Sequence, residues 1–327
     1  MYDDAFLKRL EDGLRGALPR WGVGPDAPLR LLTISENATF LAEDERGRPM
    51  IFRVNRPDYH AKDEVLSELA WINALRAAGA ADTPEPIPTA DGGLIGGFED
   101  EGHWRNVVAF EFMPGQEPAP GETLAVWFRT LGAVTARLHG HVRGWTPAAG
   151  FRRKTWDFDA MLGERRLWGD WRDGMGLDDA GRAVIERAAA VLKARTDAYG
   201  AAPARFGLIH ADLRLANLLV DGDRLSVIDF DDCGFSWFMY DFAAAVSFME
   251  HDPFIPELLD AWLDGYRTVA AVAPEDAAMM PTFLLLRRIL LTAWIASRSD
   301  APMAQAMGVS YSHGTVELAE RYLARHG

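Results

Sequence analysis

The chain has 327 residues, of which 49% are hydrophobic and 25% charged, a profile that indicates a globular protein of roughly two lobes. Its formal net charge of -14 argues against a general binder of nucleic acid or of anionic membranes. The charge favours neutral or cationic partners, or anions carried with a metal. Its one cysteine, Cys233, excludes an internal disulfide and a zinc site made of cysteines, and it fits a reducing cytoplasm.

The first third of the chain is rich in short apolar runs separated by polar turns. A helix is predicted over 4–18 and another over 63–79, where an apolar stripe ends at a glycine. The predicted strands are 29–34, 39–44 and 49–54, which form a meander, and two more strands within 94–112. The stretch "MPGQEPAPG" is rich in Pro and Gly and is the predicted lobe boundary.

The rest of the chain is predicted to be mainly helical. The predicted helices are 122–140, 156–168, 178–199, 238–249, 255–271, 276–298 and 312–325. Strands are expected at 206–209, 217–220 and 224–230, with a tight turn at 221–223. These patterns predict an α+β fold of two lobes, a small β-rich lobe over 1–113 and a larger, mainly helical lobe over 114–327.

Two features of the sequence bear on the location of the protein. The N-terminal run "MYDDAFLKRLEDGLRGAL" is acidic and amphipathic, unlike a signal peptide. The longest apolar region, "FLLLRRILLTAWIA", is interrupted by Arg287 and Arg288, so it is not expected to span a bilayer. The expected location is the cytoplasm, without a membrane or nucleic-acid partner, and nothing in the pattern specifies an oligomeric state.

One stretch, "GLIHADLRLANLLV" over 207–220, places polar residues between two apolar runs. Such strands typically present a functional loop. Asn217 lies five residues before Gly222, and Asp229 lies seven residues after it, so a hairpin returns both to the same open end. Asp212 lies on the loop that leads into that end. Asn and Asp oxygens suit Mg²⁺, and Asp212, if it is not a ligand, can accept a proton from a hydroxyl.

The spacing His210, Asp212, Asn217, followed by "VIDFDD" with Asp229, resembles the protein-kinase-like superfamily. The resemblance is closest to the aminoglycoside phosphotransferase and choline kinase family, which includes type II homoserine kinases. It extends over nearly the whole chain and implies ATP and Mg²⁺ as cofactors.

The resemblance also implies individual roles. Asp212 would be the catalytic base or would orient the acceptor hydroxyl, and Asn217 and Asp229 would bind Mg²⁺. His210 would hold the catalytic loop, and Asp241, in "YDFA", resembles the buried aspartate at a helix start that braces this loop in the family.

Asp231 occupies a position where protein kinases have glycine. It is interpreted either as a ligand of a second metal or of substrate, or as part of a solvated acidic turn.

The β-rich lobe is expected to hold the nucleotide. "SENATF" lies where kinases carry a glycine-rich loop, and Ser35, Asn37 and Thr39 could donate hydrogen bonds to phosphate oxygens. The adenine would be bound by backbone groups near Glu111 and Met113, in the segment that resembles the kinase hinge.

Arg53 stands at the end of the third predicted strand, where kinases have a lysine that holds phosphates. Glu68, on the next helix, borders an apolar stripe and needs a partner, which by resemblance is Arg53. The alternatives are an exposed strand arginine and a glutamate that pairs on the helix surface.

The segment 145–175 interleaves tryptophan with arginine, and most of these tryptophans are expected in the core and most of these arginines in solvent. The leading hypothesis is an enzyme that transfers the γ-phosphoryl group of ATP to a hydroxyl of a small metabolite or antibiotic. The alternatives are a protein Ser/Thr kinase of the stress-response type and a non-catalytic nucleotide-binding scaffold.

Overall fold

The computed structural model describes residues 4–34, 37–119, 121, 123–299 and 302–327. The helices are α1 Asp4–Ala17, α2 Lys62–Ala77, α3 Leu124–Gly144, α4 Phe158–Met161, α5 Asp179–Tyr199, α6 Tyr240–Ala245, α7 Ile255–Arg267, α8 Pro274–Ala277, α9 Met280–Ala296 and α10 Pro302–His326. The strands are β1 Arg30–Ile34, β2 Ala38–Glu43, β3 Pro49–Val54, β4 Pro86–Ile87, β5 Gly96–Asp100, β6 His103–Glu111, β7 Phe206–Ile209, β8 Leu218–Asp221, β9 Arg224–Val227 and β10 Gly234–Trp237. The mixed α+β class predicted from the sequence is confirmed.

The chain divides into two compact units. Unit one combines Met1–Gly115, Thr146–Arg153 and Ser226–Asp231, and unit two combines Gln116–Trp145, Lys154–Leu225 and Asp232–Gly327. The predicted lobes, 1–113 and 114–327, are continuous stretches, whereas unit one takes in two short segments from later in the chain.

Unit one is built on an antiparallel sheet in the order β1-β2-β3-β6-β4, with β5 also paired to β6. The predicted meander of β1, β2 and β3 is confirmed, and its register places Thr39 opposite Arg53. Leu10 and Leu14 of α1 are buried in one core with Phe40 and Phe52 of the sheet, because apolar residues alternate along these strands.

Unit two is mainly helical. The helices α3 and α7 pack so closely that a Cβ added at Gly265 would lie 1.8 Å from the carbonyl oxygen of Arg129. At the same crossing, a Cβ at Gly132 would lie 2.0 Å from the carbonyl oxygen of Trp262. Glycine is therefore required on both helices where their backbones meet. The strands β7 and β10 pair antiparallel, and β8 and β9 form a hairpin.

The helix α9 is mainly apolar. The stretch Pro274–Ala296 is long and apolar enough to cross a membrane by length and composition, but 78% of its most apolar window is buried inside the protein. It is therefore a core helix of unit two, and Arg287 and Arg288 are both buried in it.

Four predicted helices are wrong in part. The helix expected over 238–249 is only Tyr240–Ala245, and the one expected over 312–325 begins ten residues earlier, at Pro302. Within 156–168 only Phe158–Met161 is α-helical, because Asp159 Oδ1 accepts a hydrogen bond from the Glu164 backbone N–H at 2.8 Å and turns the chain out of the helix. Within 276–298 the helix is interrupted before Met280, because Pro281 lies in the first turn of α9 and has no N–H to continue a preceding helix.

The short strands β4 and β10 were not predicted, and β9 ends at Val227, three residues before the predicted end. Asp229 therefore lies beyond its strand and has a left-handed backbone with φ 63°. Few non-glycine residues adopt such a backbone, and those that do are concentrated at functional sites.

Candidate active site

The loop between β7 and β8, in unit two, carries the predicted catalytic residues. Ala211, between His210 and Asp212, has a left-handed backbone with φ 66°. Asp241 holds this conformation, since its Oδ1 accepts the Ala211 N–H at 2.7 Å and its Oδ2 accepts the His210 N–H at 3.3 Å. The strained loop is thus held from the start of α6 by a carboxylate that is fully buried.

Asp241 is itself held by a residue that the sequence analysis missed. His139 Nε2 lies 3.0 Å from Asp241 Oδ2, and its Nδ1 lies 3.0 Å from the hydroxyl oxygen of Tyr266. Burial lowers the pKa of His139, against the opposing effect of Asp241, so the imidazole is neutral. The neutral ring donates from Nε2–H to the carboxylate and accepts at Nδ1 from the Tyr266 hydroxyl.

Asp212 has both carboxylate oxygens in hydrogen bonds. Oδ1 accepts from Arg287 Nη2 at 2.6 Å, and Oδ2 accepts from Asn217 Nδ2 at 2.8 Å and from Arg214 Nε at 3.2 Å. Burial acts to raise the pKa of Asp212, but the positive charges of Arg214 and Arg287, with a contribution from His210, outweigh it and lower the pKa. Asp212 is therefore ionised at neutral pH and can accept a hydrogen bond from a hydroxyl.

Asn217 is buried and faces the same loop. Its Nδ2 donates to the backbone oxygen of Asp212 at 2.8 Å as well as to the carboxylate. These contacts assign the amide orientation and leave Oδ1 as the atom that can approach a cation.

In unit one, Arg53 and Glu68 form a buried ion pair. The guanidinium donates from Nη1 and Nη2 to Glu68 Oε1 and Oε2 at 2.8 and 2.7 Å, and the two residues are only 4% and 0% exposed. The predicted pairing is confirmed, and the alternative of exposed residues is wrong. Burial acts to lower the pKa of Arg53, but Glu68, Asp231 and Asp229 raise it well above its usual value, so the charge is retained.

Two further aspartates of unit one lie close to Arg53. Asp229 Oδ1 is 3.5 Å from Arg53 Nη1, and the Asp229 side chain is 39% exposed. Asp231 is buried, its Oδ2 accepts from Asn37 Nδ2 at 2.5 Å, and Arg153 donates to its backbone oxygen. Interpreting Asp231 as part of a solvated acidic turn is therefore wrong.

The predicted nucleotide residues are placed as follows. The Asn37 side chain is used within unit one, because its Oδ1 also accepts from the Arg56 N–H at 3.2 Å. A contact from Asn37 to phosphate would thus come from its backbone. Thr39 is on β2, Glu111 ends β6, Met113 follows it, and Ser35 lies outside the described residues.

The segment 145–175 buries most of its tryptophans and exposes most of its arginines, as expected, with one exception. Trp156, Trp168 and Trp171 are buried, and most of the segment's arginines reach the surface. Arg153 is the exception, since it is only 8% exposed and donates to backbone oxygens of Glu64 and Asp231.

The donor atoms present suit a Mg²⁺ ion that has only one or two protein ligands. No group of three or more His, Cys, Asp or Glu that could hold a metal occurs in the part of the chain that the structure describes. Mg²⁺ in nucleotide enzymes commonly has one or two protein ligands, with phosphates and waters completing its shell. Asn217 Oδ1 in unit two and the half-exposed carboxylate of Asp229 in unit one are each an oxygen of the kind that Mg²⁺ accepts.

Comparison with known proteins supports phosphoryl transfer. The family model described as "Phosphotransferase enzyme family" matches residues 30–274. The amicoumacin kinase of Bacillus subtilis (strain 168) is 24% identical over 294 residues, which cover 86% of this chain and 83% of that protein. The homoserine kinase of Allorhizobium ampelinum is 26% identical over 311 residues, which cover 88% of each chain.

Among solved structures, the microcompartment-associated aminopropanol kinase has a TM-score of 0.90 and 44% identity, covering 96% of this chain and 98% of that one. An amicoumacin kinase in complex with AMP-PNP, Ca²⁺ and Ami has the same fold, with a TM-score of 0.78 and 22% identity over 97% of this chain and 94% of that one. These proteins are kinases of small molecules, which favours neither a protein kinase nor a non-catalytic scaffold. The chain belongs to the phosphotransferase enzyme family, as an ATP-dependent kinase that phosphorylates a hydroxyl of a small molecule.

Proposed function

We propose that the phosphoryl acceptor is a small amino alcohol of the aminopropanol type. The observation that carries this proposal is the 44% identity to the aminopropanol kinase over 96% of the chain. The net charge of -14 also supports it, because an acidic protein attracts the ammonium group of such a substrate. A location in the cytoplasm, where ATP is abundant, belongs to the same proposal.

In the proposed reaction, Asp212 orients the acceptor hydroxyl. The hydroxyl oxygen bonds to the γ-phosphorus, the bond from that phosphorus to the bridging oxygen breaks, and ADP leaves. The hydroxyl proton passes to a carboxylate oxygen of Asp212 as the new bond forms.

Further residues of the chain are proposed to bind the nucleotide and the metal. Asn217 and Asp229 would hold Mg²⁺, which supplies positive charge to the phosphate oxygens when it is bound. Arg53, kept in place by Glu68, would contact the phosphates. Asp231 would serve as a ligand of a second metal or of substrate.

The remaining proposals concern the other nucleotide contacts and the support of the catalytic loop. Ser35, Thr39 and the backbone of Asn37 would bind phosphate oxygens, and backbone groups near Glu111 and Met113 would bind adenine. His210 and Asp241 would support the catalytic loop without touching substrate.

A panel of acceptors tests the substrate. ADP release is measured with 1-amino-2-propanol, ethanolamine, 2-propanol, homoserine and spectinomycin, and Asp212→Asn is the inactive control. We expect kcat/KM to be highest for 1-amino-2-propanol and at least about 100-fold lower for 2-propanol, which lacks the ammonium group.

A higher kcat/KM for homoserine or spectinomycin would contradict the amino alcohol while leaving kinase chemistry intact. Equal values for 2-propanol and 1-amino-2-propanol would show that the amine is not recognised. Intact-protein mass spectrometry without an acceptor checks for autophosphorylation, which the proposal does not expect.

A further inference from the structure

Arg287, in the middle of the apolar helix α9, contacts the catalytic loop directly. It is 2% exposed, and its Nη2 donates to Asp212 Oδ1 at 2.6 Å. Its Nη1 lies 3.3 Å from the backbone oxygen of Ala211, and its Nε donates to Ser247 Oγ at 2.9 Å. One guanidinium thus links the loop to the segment that follows α6.

Several contacts fix the orientation of this guanidinium. The group is planar, so acceptors on three of its nitrogens define both its position and its plane. The ring of Trp168 adds a contact, with its centroid 5.1 Å from the guanidinium carbon. A side chain held in this way is a rigid support for the carboxylate it touches.

The charge of Arg287 is balanced by its surroundings in unit two. Burial acts to lower the pKa of Arg287, but its neighbours Tyr240, Asp212 and Asp232 outweigh burial and raise the pKa. The negative charge comes from the carboxylates of Asp212 and Asp232, because burial raises the pKa of Tyr240 and its phenol is neutral. Arg287 therefore stays charged, and its bond to Asp212 is charge-assisted.

The two carboxylate oxygens of Asp212 accept hydrogen bonds from different residues. Arg287 holds Oδ1, and Asn217 and Arg214 hold Oδ2 at 2.8 and 3.2 Å from the loop itself. Rotation of the carboxylate would break at least one of these bonds. The lone pair that remains on Oδ1 therefore points in a fixed direction, as positioning of an acceptor hydroxyl requires.

We propose that Arg287 is a positioning residue that fixes the carboxylate of Asp212 and the adjoining Ala211 carbonyl for phosphoryl transfer. The inference rests on the role proposed for Asp212. Arg287 acts through Asp212 and does not bind the nucleotide, so its loss should lower kcat and leave the KM for ATP unchanged.

Arg288 provides a matched control on the same helix. It is equally buried, but it donates to Glu250 Oε2 at 2.9 Å and to the backbone oxygen of Tyr311 at 2.8 Å, and no described contact joins it to the catalytic loop. Arg287→Lys and Arg288→Lys therefore make the same chemical change in the same helix, and only the first one alters the support of Asp212.

The experiment compares Arg287→Gln, Arg287→Lys, Ser247→Ala and Arg288→Lys, with thermal unfolding measured alongside kcat and the KM for ATP. We expect kcat to fall about 100-fold in Arg287→Gln and about ten-fold in Arg287→Lys, where the charge remains without the fork. Ser247→Ala, which removes only the Nε partner, should lose a few-fold in kcat. Arg288→Lys should lower the unfolding temperature and keep kcat within about two-fold.

A second comparison shows whether Arg287 acts through Asp212. In the Asp212→Asn background, Arg287→Gln should cause no further loss of the residual rate, because residues that act as a unit are not additive. A folded Arg287→Gln protein with normal kcat would overturn the inference. So would equal kcat losses in Arg287→Lys and Arg288→Lys, or independent losses in the double variant.

The two proposals fail in different ways. If Asp212→Asn retains normal kcat, the role of Asp212 is wrong. If Asp212→Asn is inactive and the Arg287 variants are not, only the inference about Arg287 is wrong. Should Arg287→Gln fail to fold, Arg287→Lys and Ser247→Ala decide the matter by the same kcat criterion.

Discussion

Replacing the buried pair of Arg53 and Glu68 with apolar residues separates its effect on stability from its effect on ATP use. In Glu68→Leu the arginine loses two charge-assisted bonds of 2.8 and 2.7 Å, and in Arg53→Met the glutamate is left buried without its partner. Removing one member of a buried ion pair costs about 3–5 kcal/mol of unfolding free energy. The loss in Glu68→Leu should lie nearer the lower value, because Asp229 remains 3.5 Å from Arg53.

The double variant Arg53→Met/Glu68→Leu should recover most of that stability. It has no uncompensated charge from the pair, and well-packed apolar residues commonly replace a buried ion pair without a net loss. ATP use should not recover, since the proposed contact of Arg53 with the phosphates needs both the guanidinium and the glutamate that holds it. We expect a loss of about 10- to 100-fold in kcat/KM for ATP in all three variants.

Urea unfolding measures the free energy of unfolding, and steady-state kinetics with varied ATP measure kcat/KM for ATP. Arg105→Met is the control, because Arg105 forms a similarly enclosed pair with Asp100 at 2.7 Å in the same unit. It should lose stability and keep its KM for ATP. The reasoning would be refuted by a double variant that uses ATP normally, or by stability losses that are strictly additive.

Three further predictions test other parts of the protein. Asp229→Asn should abolish Mg²⁺-dependent ATP binding in a folded protein, and calorimetry that shows unchanged affinity would contradict its metal role. Gly265→Ala should lower the unfolding free energy by about 1–3 kcal/mol, because its Cβ would lie 1.8 Å from the Arg129 carbonyl oxygen, whereas Gly140→Ala, with open space around it in α3, should not. Because the pKa of folded His139 is lowered, the unfolded chain takes up more protons below about pH 6.5. Stability should therefore fall as the pH falls through that value, and the fall should be shallower in His139→Gln.

Local patterns were sufficient to predict much of the fold. The alternation of apolar residues gave the strands of the meander, and the spacing from His210 to Asp229 indicated a loop and hairpin with oxygen-bearing side chains. A glutamate beside an apolar stripe needs a partner, and the family resemblance identified that partner as Arg53, which the structure confirms.

The supports of the loop could not be predicted, because they come from distant parts of the chain. Arg287 is 75 residues from Asp212, and His139 is 102 residues from Asp241. Helical periodicity identifies which face is buried, but it does not say which loop that face meets. The one available signal was an arginine within an apolar run, which requires a buried partner and which was used only to exclude a membrane span.

The two arginines of α9 also influence the chain before it folds. The 23-residue stretch Pro274–Ala296 has a mean hydropathy of 1.4 over its most apolar window, and it is as long as a segment that the membrane insertion machinery accepts. An arginine near the centre of such a segment adds about 2.5–3.5 kcal/mol to its free energy of insertion, so Arg287 and Arg288 together oppose insertion by about 5–7 kcal/mol. The side chains that contact Asp212 and Glu250 in the folded protein thus also keep the newly made helix out of the bilayer, and replacing both with methionine would remove that protection.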